Sequence, residues 1–238
     1  MQDPLPYCGP PPDPTRWMFA WNLDPLLIAG IASVAAVGYW QLQRAPAAAR
    51  RAFHVAIGAA VLAFVSPLCA MTVALFSARS LHHLVVLGVL APALALAFPI
   101  RRLPLGLSFA ALSAALWLWH LPLVYTAAWD SAAIYWLMQA ALILPAWAFW
   151  SGLTRRPDLG HALWLVPLVG QMGLLGALLT FAPRPFYLEH LAQAERFGLS
   201  ALSDQQLAGL VMWVPGMLPL AGLSALMLWH AWQREARA

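Results

Sequence analysis

The chain contains no lysine and few charged residues of any kind. Charged residues make up 9% of its 238 residues, whereas a soluble domain carries about 25%. Hydrophobic residues account for 62%, so the composition excludes an ordinary soluble domain and predicts a membrane protein. No run of more than two adjacent arginines occurs, which argues against nucleic-acid binding. The lipid bilayer is therefore the predicted surroundings of nearly the whole chain.

The sequence also lacks the short motifs of common enzymes. No G-x-S-x-G, H-E-x-x-H, P-loop or C-x-x-C motif occurs, so no catalytic activity is predicted. The absence of lysine excludes a retinal Schiff base, and no internal repeat typical of transporters is visible.

Only two cysteines are present, Cys8 and Cys69, too few for a disulfide framework. Three interpretations are open. The two can form one bridge, Cys8 can pass on a soft metal as a thiolate, and Cys69 can be a small core residue.

Seven apolar segments predict an all-α bundle of seven transmembrane helices. Residues 1–25 are rich in proline and lack the apolar core of a signal peptide. They are predicted to be a tail, and the arginines place it outside the cytoplasm. The transmembrane domain is predicted over 26–231 and a cytoplasmic tail over 232–238. The predicted helices are 26–43, 52–73, 81–98, 106–127, 133–153, 162–182 and 205–231.

The arginines predict the orientation of this bundle. Nine of the thirteen fall on one side, which the positive-inside rule assigns to the cytoplasm. The amino terminus is then outside and the carboxyl terminus inside, as an odd number of spans requires. The nine are Arg44, Arg50, Arg51, Arg101, Arg102, Arg155, Arg156, Arg234 and Arg237.

Four side chains near the predicted outer face could bind a soft metal ion. Histidine and methionine suit Cu(I), and a polar group within a membrane helix is by default a functional candidate. His83 and His120 are predicted as primary ligands, with His82 or Met212 as a third. The alternatives are that His82 faces lipid headgroups, that His120 hydrogen-bonds a backbone carbonyl freed by Pro122, and that Met212 only packs.

Other polar residues are predicted to support this site. Arg79 shares a helix face with His83, and Asp204 is expected to pair with Arg79 or to orient an imidazole. Gly209 and Gly216 would allow close approach of a neighbouring helix.

Two further expectations concern histidines elsewhere. His190 lies in a predicted loop and is expected to be solvated. His54 and His230 lie at similar depth near the opposite face, where two imidazoles could ligate a haem. A haem-binding electron carrier is therefore a further alternative.

Three segments together resemble the CtaG-like cytochrome c oxidase assembly factors of the caa3 type. They are "LFSARSLHHLVVLGVLAPALALAFP", "WLWHLPLVYTAAW" and "DQQLAGLVMWVPG", and "YCGPPP" and "SPL" fit as well. The resemblance implies a multi-pass protein of the bacterial cytoplasmic membrane that helps to build haem–copper oxidases. It implies delivery or holding of Cu(I) at the outer face, with oxidase subunits and periplasmic copper chaperones as partners.

The resemblance also assigns residues and shows one departure. In the family the third helix usually carries two histidines four residues apart. The second matches His83, whereas Arg79 stands at the first and His82 at the usual glutamine. Either His82 replaces the missing ligand, or the chain binds metal weakly or acts as a metal-free scaffold for an oxidase subunit. The other matching positions are His120, Asp204, Gln205, Gln206, Met212 and Trp213.

Overall fold

The computed structural model describes residues 6–155 and 158–235, apart from a few side chains near the carboxyl end. Arg156 and Arg237 lie outside the described residues, as do the side chains of His230 and Arg234. Within the described part every regular element is a helix, which confirms the all-α class. The α-helices are α1 (Pro25–Gln41), α2 (Ala47–Val65), α3 (Pro67–Ala74), α4 (Phe76–Ala97), α5 (Leu105–Trp119), α6 (Pro122–Asp130), α7 (Ala132–Arg155), α8 (Leu159–Thr180), α9 (Leu191–Arg196) and α10 (Ala201–Glu235).

Five of the described helices are long and apolar enough to cross a membrane, namely α2, α4, α7, α8 and α10. The bent pair α5 and α6 makes a sixth if it counts as one span. Helix α1 is apolar but has only 17 residues, the lower end of the range for a span. The number seven and the direction of the termini therefore stay predictions.

The second predicted helix, 52–73, is interrupted at Ser66. Helix α2 ends at Val65, and the Ser66 hydroxyl accepts a hydrogen bond from the amide of Leu68 at 3.2 Å. Pro67 then begins α3, where its fixed φ and missing N–H favour a first helical position. The prediction of one continuous helix over 52–73 was wrong, because the cap at Ser66 starts a new helix.

The fourth predicted helix, 106–127, is also interrupted. Helix α5 ends at Trp119, α6 begins at Pro122, and their axes differ by 81°. Leu121 has an extended backbone, the conformation favoured before a proline. The bend lies directly after His120, which caps the carboxyl end of α5 before the chain changes direction.

Glycines set the packing of α10 against its neighbours, as predicted. A Cβ added at Gly209 would lie 2.5 Å from the carbonyl oxygen of Gly176 in α8, and one at Gly216 would lie 2.9 Å from a methyl group of Leu84 in α4. Helices α8 and α4 therefore each approach α10 closely, at positions where α10 has no side chain.

Cys8 and Cys69 form a disulfide, which confirms the bridge among the open interpretations. The alternative that Cys8 passes on a soft metal as a thiolate was wrong, because both cysteines are in the disulfide. The bridge ties the amino-terminal tail to α3, and Tyr7 stacks on Tyr135 of α7 with ring centroids 4.9 Å apart. The tail is therefore packed against the helix ends.

Candidate functional site

His82, His83 and His120 form what we call the imidazole cluster. His82 is 1% exposed, so the alternative that it faces headgroups is wrong. Its ring packs edge-on against Phe64 at 5.2 Å and lies 5.6 Å from the ring of His83. Neither ring nitrogen makes a hydrogen bond of ordinary distance and angle with the described residues, although the backbone carbonyl of Ala63 lies near the ring.

His83 lies within electrostatic reach of both His82 and His120. Its Nε2 atom is buried and has no hydrogen-bond partner among the described residues. The role of His83 and His120 as joint metal ligands stays a prediction.

The His120 ring hydrogen-bonds a backbone carbonyl, as one alternative expected, but this carbonyl is not one that Pro122 frees. Its Nδ1 atom lies 2.6 Å from the carbonyl oxygen of Leu116, which is freed because the amide of His120 turns to Trp117 instead. A carbonyl only accepts, so Nδ1 carries the proton and Nε2 keeps its lone pair. A neutral imidazole with a free Nε2 is a form that binds metal.

Met212 lies on α10, which packs against α4, the helix that carries His83. Helices α4 and α10 run in the same direction, with Asp204 bound to the first turn of α4 at Ser77. Met212 follows Asp204 by eight residues, about 12 Å, and His83 follows Ser77 by six, about 9 Å. Met212 is 5% exposed and belongs to the main apolar core, so it has at least a packing role.

Arg79 is buried next to this cluster and has no carboxylate partner among the described residues. It is 4% exposed, and its Nη1 atom makes no hydrogen bond. The guanidinium lies over the rings of Tyr125 and Trp129, 4.6 and 5.8 Å from their centroids. Such cation–π contacts stabilise a desolvated arginine by about 2 kcal/mol or more. The positive charge of Arg79 also acts electrostatically on the imidazoles of His82 and His83.

Asp204 neither pairs with Arg79 nor orients an imidazole, so that expectation was wrong. Its carboxylate accepts hydrogen bonds from the amides of Phe76 at 2.6 Å and Ser77 at 3.1 Å, and from the Ser77 hydroxyl. The first amides of a helix have no partner within it, and a carboxylate there also complements the helix dipole. Asp204 therefore caps α4 from α10.

The neighbouring glutamine residues and Trp213 also act in packing. The side chain of Gln205 accepts from the amide of Phe186 at 2.6 Å and holds the segment between α8 and α9. The backbone carbonyl of Gln206 accepts from Thr180 at 3.5 Å. Trp213 packs on Phe181 with centroids 6.2 Å apart. The "DQQ" element therefore fastens α4 and the loop before α9 to the start of α10.

His190 was wrongly expected to be solvated, since it is 1% exposed. Its Nε2 atom accepts from the Tyr125 hydroxyl at 2.6 Å, and Nδ1 donates to the carbonyl of Ala74 at 3.3 Å. Burial, followed by the nearby charge of Arg79, lowers the pKa of His190 to about 3. Sequence reasoning missed this residue because Tyr125 is 65 positions away.

The described residues contain no preformed group of three or more histidine, cysteine or acidic side chains with the geometry of a metal site. The cluster offers buried imidazole nitrogens without a hydrogen-bond partner among these residues, with the fixed cation of Arg79 near them. An adjacent cavity of about 470 Å³ reaches Leu84 and Leu116, and the described residues that line it are all apolar. That cavity adds no metal ligand.

The family model of the cytochrome c oxidase caa3 assembly factor matches residues 105–235, more than half of the chain. The matched region runs from α5 to α10 and includes His120 and the "DQQLAGLVMWVPG" element, whereas His82 and His83 precede it. Neither the curated proteins nor the solved structures contain a significant match.

Proposed function

The chain belongs to the cytochrome c oxidase caa3 assembly factor family, and from that premise we propose that it holds Cu(I) for a haem–copper oxidase under assembly. The oxidase is its partner, and the bacterial cytoplasmic membrane is its location. Copper is cargo here, and no bond of a substrate is made or broken.

The observation that carries the copper proposal is the set of unpartnered imidazole nitrogens in the imidazole cluster. A buried polar atom without a hydrogen bond costs about 1–3 kcal/mol, and a bound soft cation would offset that cost. His83 and His120 are the proposed primary ligands, because the Nε2 of one is unpartnered and the Nε2 of the other keeps its lone pair. His82 and Met212 are candidates for a third contact.

The disulfide supports an extracytoplasmic position for this site. Disulfides persist in oxidising compartments and are rare in the cytosol. The Cys8–Cys69 bridge lies at the end of the bundle where α4 and α10 begin, which is also the side with fewer arginines. A donor of copper would then be a periplasmic copper chaperone.

Arg79 favours a second candidate function, a metal-free scaffold that holds an oxidase subunit. A guanidinium with a free Nη1 atom lies beside the imidazoles, and the charge of a guanidinium repels a cation. At about 6 Å and an effective dielectric constant of 20, two unit charges repel by roughly 3 kcal/mol. The cluster would then be a packed polar core of the assembly factor.

Copper content distinguishes the two functions. The full chain is purified in detergent, loaded with Cu(I) and washed, and copper per protein is measured for wild type, His83→Ala, His120→Ala and His54→Ala. The proposal expects one ion or less in wild type, at least a fivefold loss in each of the first two variants, and no change in the last, because His54 is exposed and far from the cluster.

Equal and low copper in all four proteins would remove the copper proposal and leave the scaffold. In that case the same preparations should still co-purify with an oxidase subunit. A Soret band in the absorption spectrum of any of them would instead support the haem-binding alternative.

A further inference from the structure

A second cavity, lined by both polar and apolar residues, lies at the opposite end of the bundle, away from the imidazole cluster. It has a volume of about 390 Å³ and lies between the end of α4 and the end of α7. Two arginines, Arg101 and Arg155, line it together with the apolar wall of Ala95, Leu96 and Pro99. A cavity that joins cationic and apolar surfaces suits an amphipathic anion.

The segment that forms this cavity is held in place by α7. The indole of Trp147 donates to the carbonyl of Phe98 at 2.9 Å, and Nη1 of Arg155 donates to the carbonyl of Arg101 at 2.7 Å. These two bonds fix the turn after α4 on the surface of α7. The cavity is therefore part of the fold and not a gap under a loose loop.

The two guanidinium groups are not neutralised within the described part of the chain. The ion pair found there joins His161 to Asp158, so no described carboxylate lies within 4 Å of Arg101 or Arg155. The Arg101 guanidinium makes no hydrogen bond to described residues, and one arm of Arg155 is used. Most of their donors are available to a ligand, and arginine binds phosphate oxygens in a bidentate manner.

The depth of the cavity matches the headgroup layer of a bilayer. Helix α7 has 24 residues, about 36 Å in length, which exceeds the hydrocarbon thickness of about 30 Å. Its last residue, Arg155, therefore lies among headgroups if α7 spans the membrane. Leu96, in the last turn of α4, is 57% exposed and offers an apolar surface beside Arg101 and Arg155.

We propose that the Arg101–Arg155 cavity binds the headgroup phosphate of an anionic phospholipid, with one acyl chain along Leu96 and Pro99. Basic pockets between transmembrane helices are known to bind such headgroups. The apolar wall favours a lipid over free phosphate, because inorganic phosphate would leave that wall exposed to water. This inference does not depend on the proposed copper function.

The test measures binding of phosphatidylglycerol to the purified full chain in detergent by native mass spectrometry. Arg101→Gln is expected to weaken binding at least fivefold, and Arg101→Lys much less. Arg102→Gln is the matched control, since it removes the same charge from the adjacent residue, which does not line the cavity. The control should change binding less than twofold, and phosphatidylcholine should bind all proteins equally weakly.

Three results would overturn the proposal. Equal losses in Arg101→Gln and Arg102→Gln would mean attraction to the basic surface in general. No loss in Arg101→Gln, with unchanged helicity by circular dichroism, would mean that the lipid binds elsewhere. Displacement of bound phosphatidylglycerol by 10 mM inorganic phosphate would identify a phosphate-ion site instead of a lipid site.

Discussion

The guanidinium of Arg79 and the imidazole of His83 belong to residues one helical turn apart on α4. We expect Arg79→His to raise the affinity for Cu(I) by about 10-fold or more, because it removes a fixed positive charge and adds an imidazole four residues before His83. Arg79→Gln removes the charge without adding a ligand and should give an intermediate increase. Copper per protein after washing is the measurement.

Arg79→Lys is the control for charge, since it keeps a cation at the same position. Its copper content should stay at the wild-type level. If Arg79→His and Arg79→Lys retain the same amount of copper, the cation at this position does not limit metal binding, and the scaffold function gains support.

His190 makes the stability of the protein sensitive to acid. Its pKa in the folded protein is lowered to about 3, whereas an unfolded histidine titrates near 6.5. Between these values the unfolded chain binds a proton that the folded chain excludes, so stability falls as the pH drops below about 6.5. From pH 7.5 to 5.5 the loss from this residue is about 1.4 kcal/mol.

The measurement is the thermal midpoint in detergent at pH 7.5 and 5.5. Wild type should lose roughly 3–5 °C more than His190→Gln, because glutamine can keep a hydrogen bond to Tyr125 but does not titrate. Equal losses in the two proteins would show that His190 is not the group responsible.

At the scale of elements, the start of α4 depends on a residue of α10. Asp204→Ala leaves the buried amides of Phe76 and Ser77 without their acceptor, which should cost about 1–3 kcal/mol. The thermal midpoint should fall by roughly 3–10 °C. Asp204→Asn keeps one acceptor oxygen and should lose less.

Ser203→Ala is the matched control, because Ser203 is exposed in the same turn of α10. An Asp204→Asn variant as unstable as Asp204→Ala would contradict the capping role and point to the negative charge itself. A loss no larger than that of Ser203→Ala would show that the cap contributes little.

The same contact explains which helix limits could be predicted from the sequence. Apolar length located the five helices that are long enough to span a membrane, and Gly209 marked a close approach. The start of α4 was placed at residue 81 instead of Phe76, because its cap is 127–128 positions away and leaves no local signal. The bend at Pro122 was missed because a proline within an apolar run is tolerated in membrane helices.

The candidate site was predictable to a similar degree. Topology grouped His83 with His120, since both lie near helix ends on one predicted side. The contacts of Arg79 with Tyr125 and of His190 with Tyr125 were not predictable, because they depend on the orientation of α6 after its 81° bend. Sequence periodicity carries no information on such an angle.

At the scale of the whole molecule, α1 decides whether the chain has six or seven spans. Both of its ends are paired with the opposite ends of α2. The amide of Asn22, just before α1, donates to the carbonyl of Val65 at 2.9 Å. Near the other end, Gly38 packs directly on the ring of Phe53. Helix α1 therefore runs antiparallel to α2 along most of its length, and we predict that it crosses the same thickness of membrane as α2.

This arrangement predicts the side of the membrane for each connection. Single cysteines at Arg44, Arg102 and Ala192, all exposed positions, can be labelled with a membrane-impermeant maleimide, since both native cysteines are in the disulfide. Ala192→Cys should react in intact cells. Arg44→Cys and Arg102→Cys should react only after the membrane is permeabilised, because seven spans with the disulfide outside place both in the cytoplasm. Labelling of Arg44→Cys in intact cells would mean that α1 does not cross, and labelling of Arg102→Cys would reverse the orientation and with it the extracytoplasmic position of the imidazole cluster.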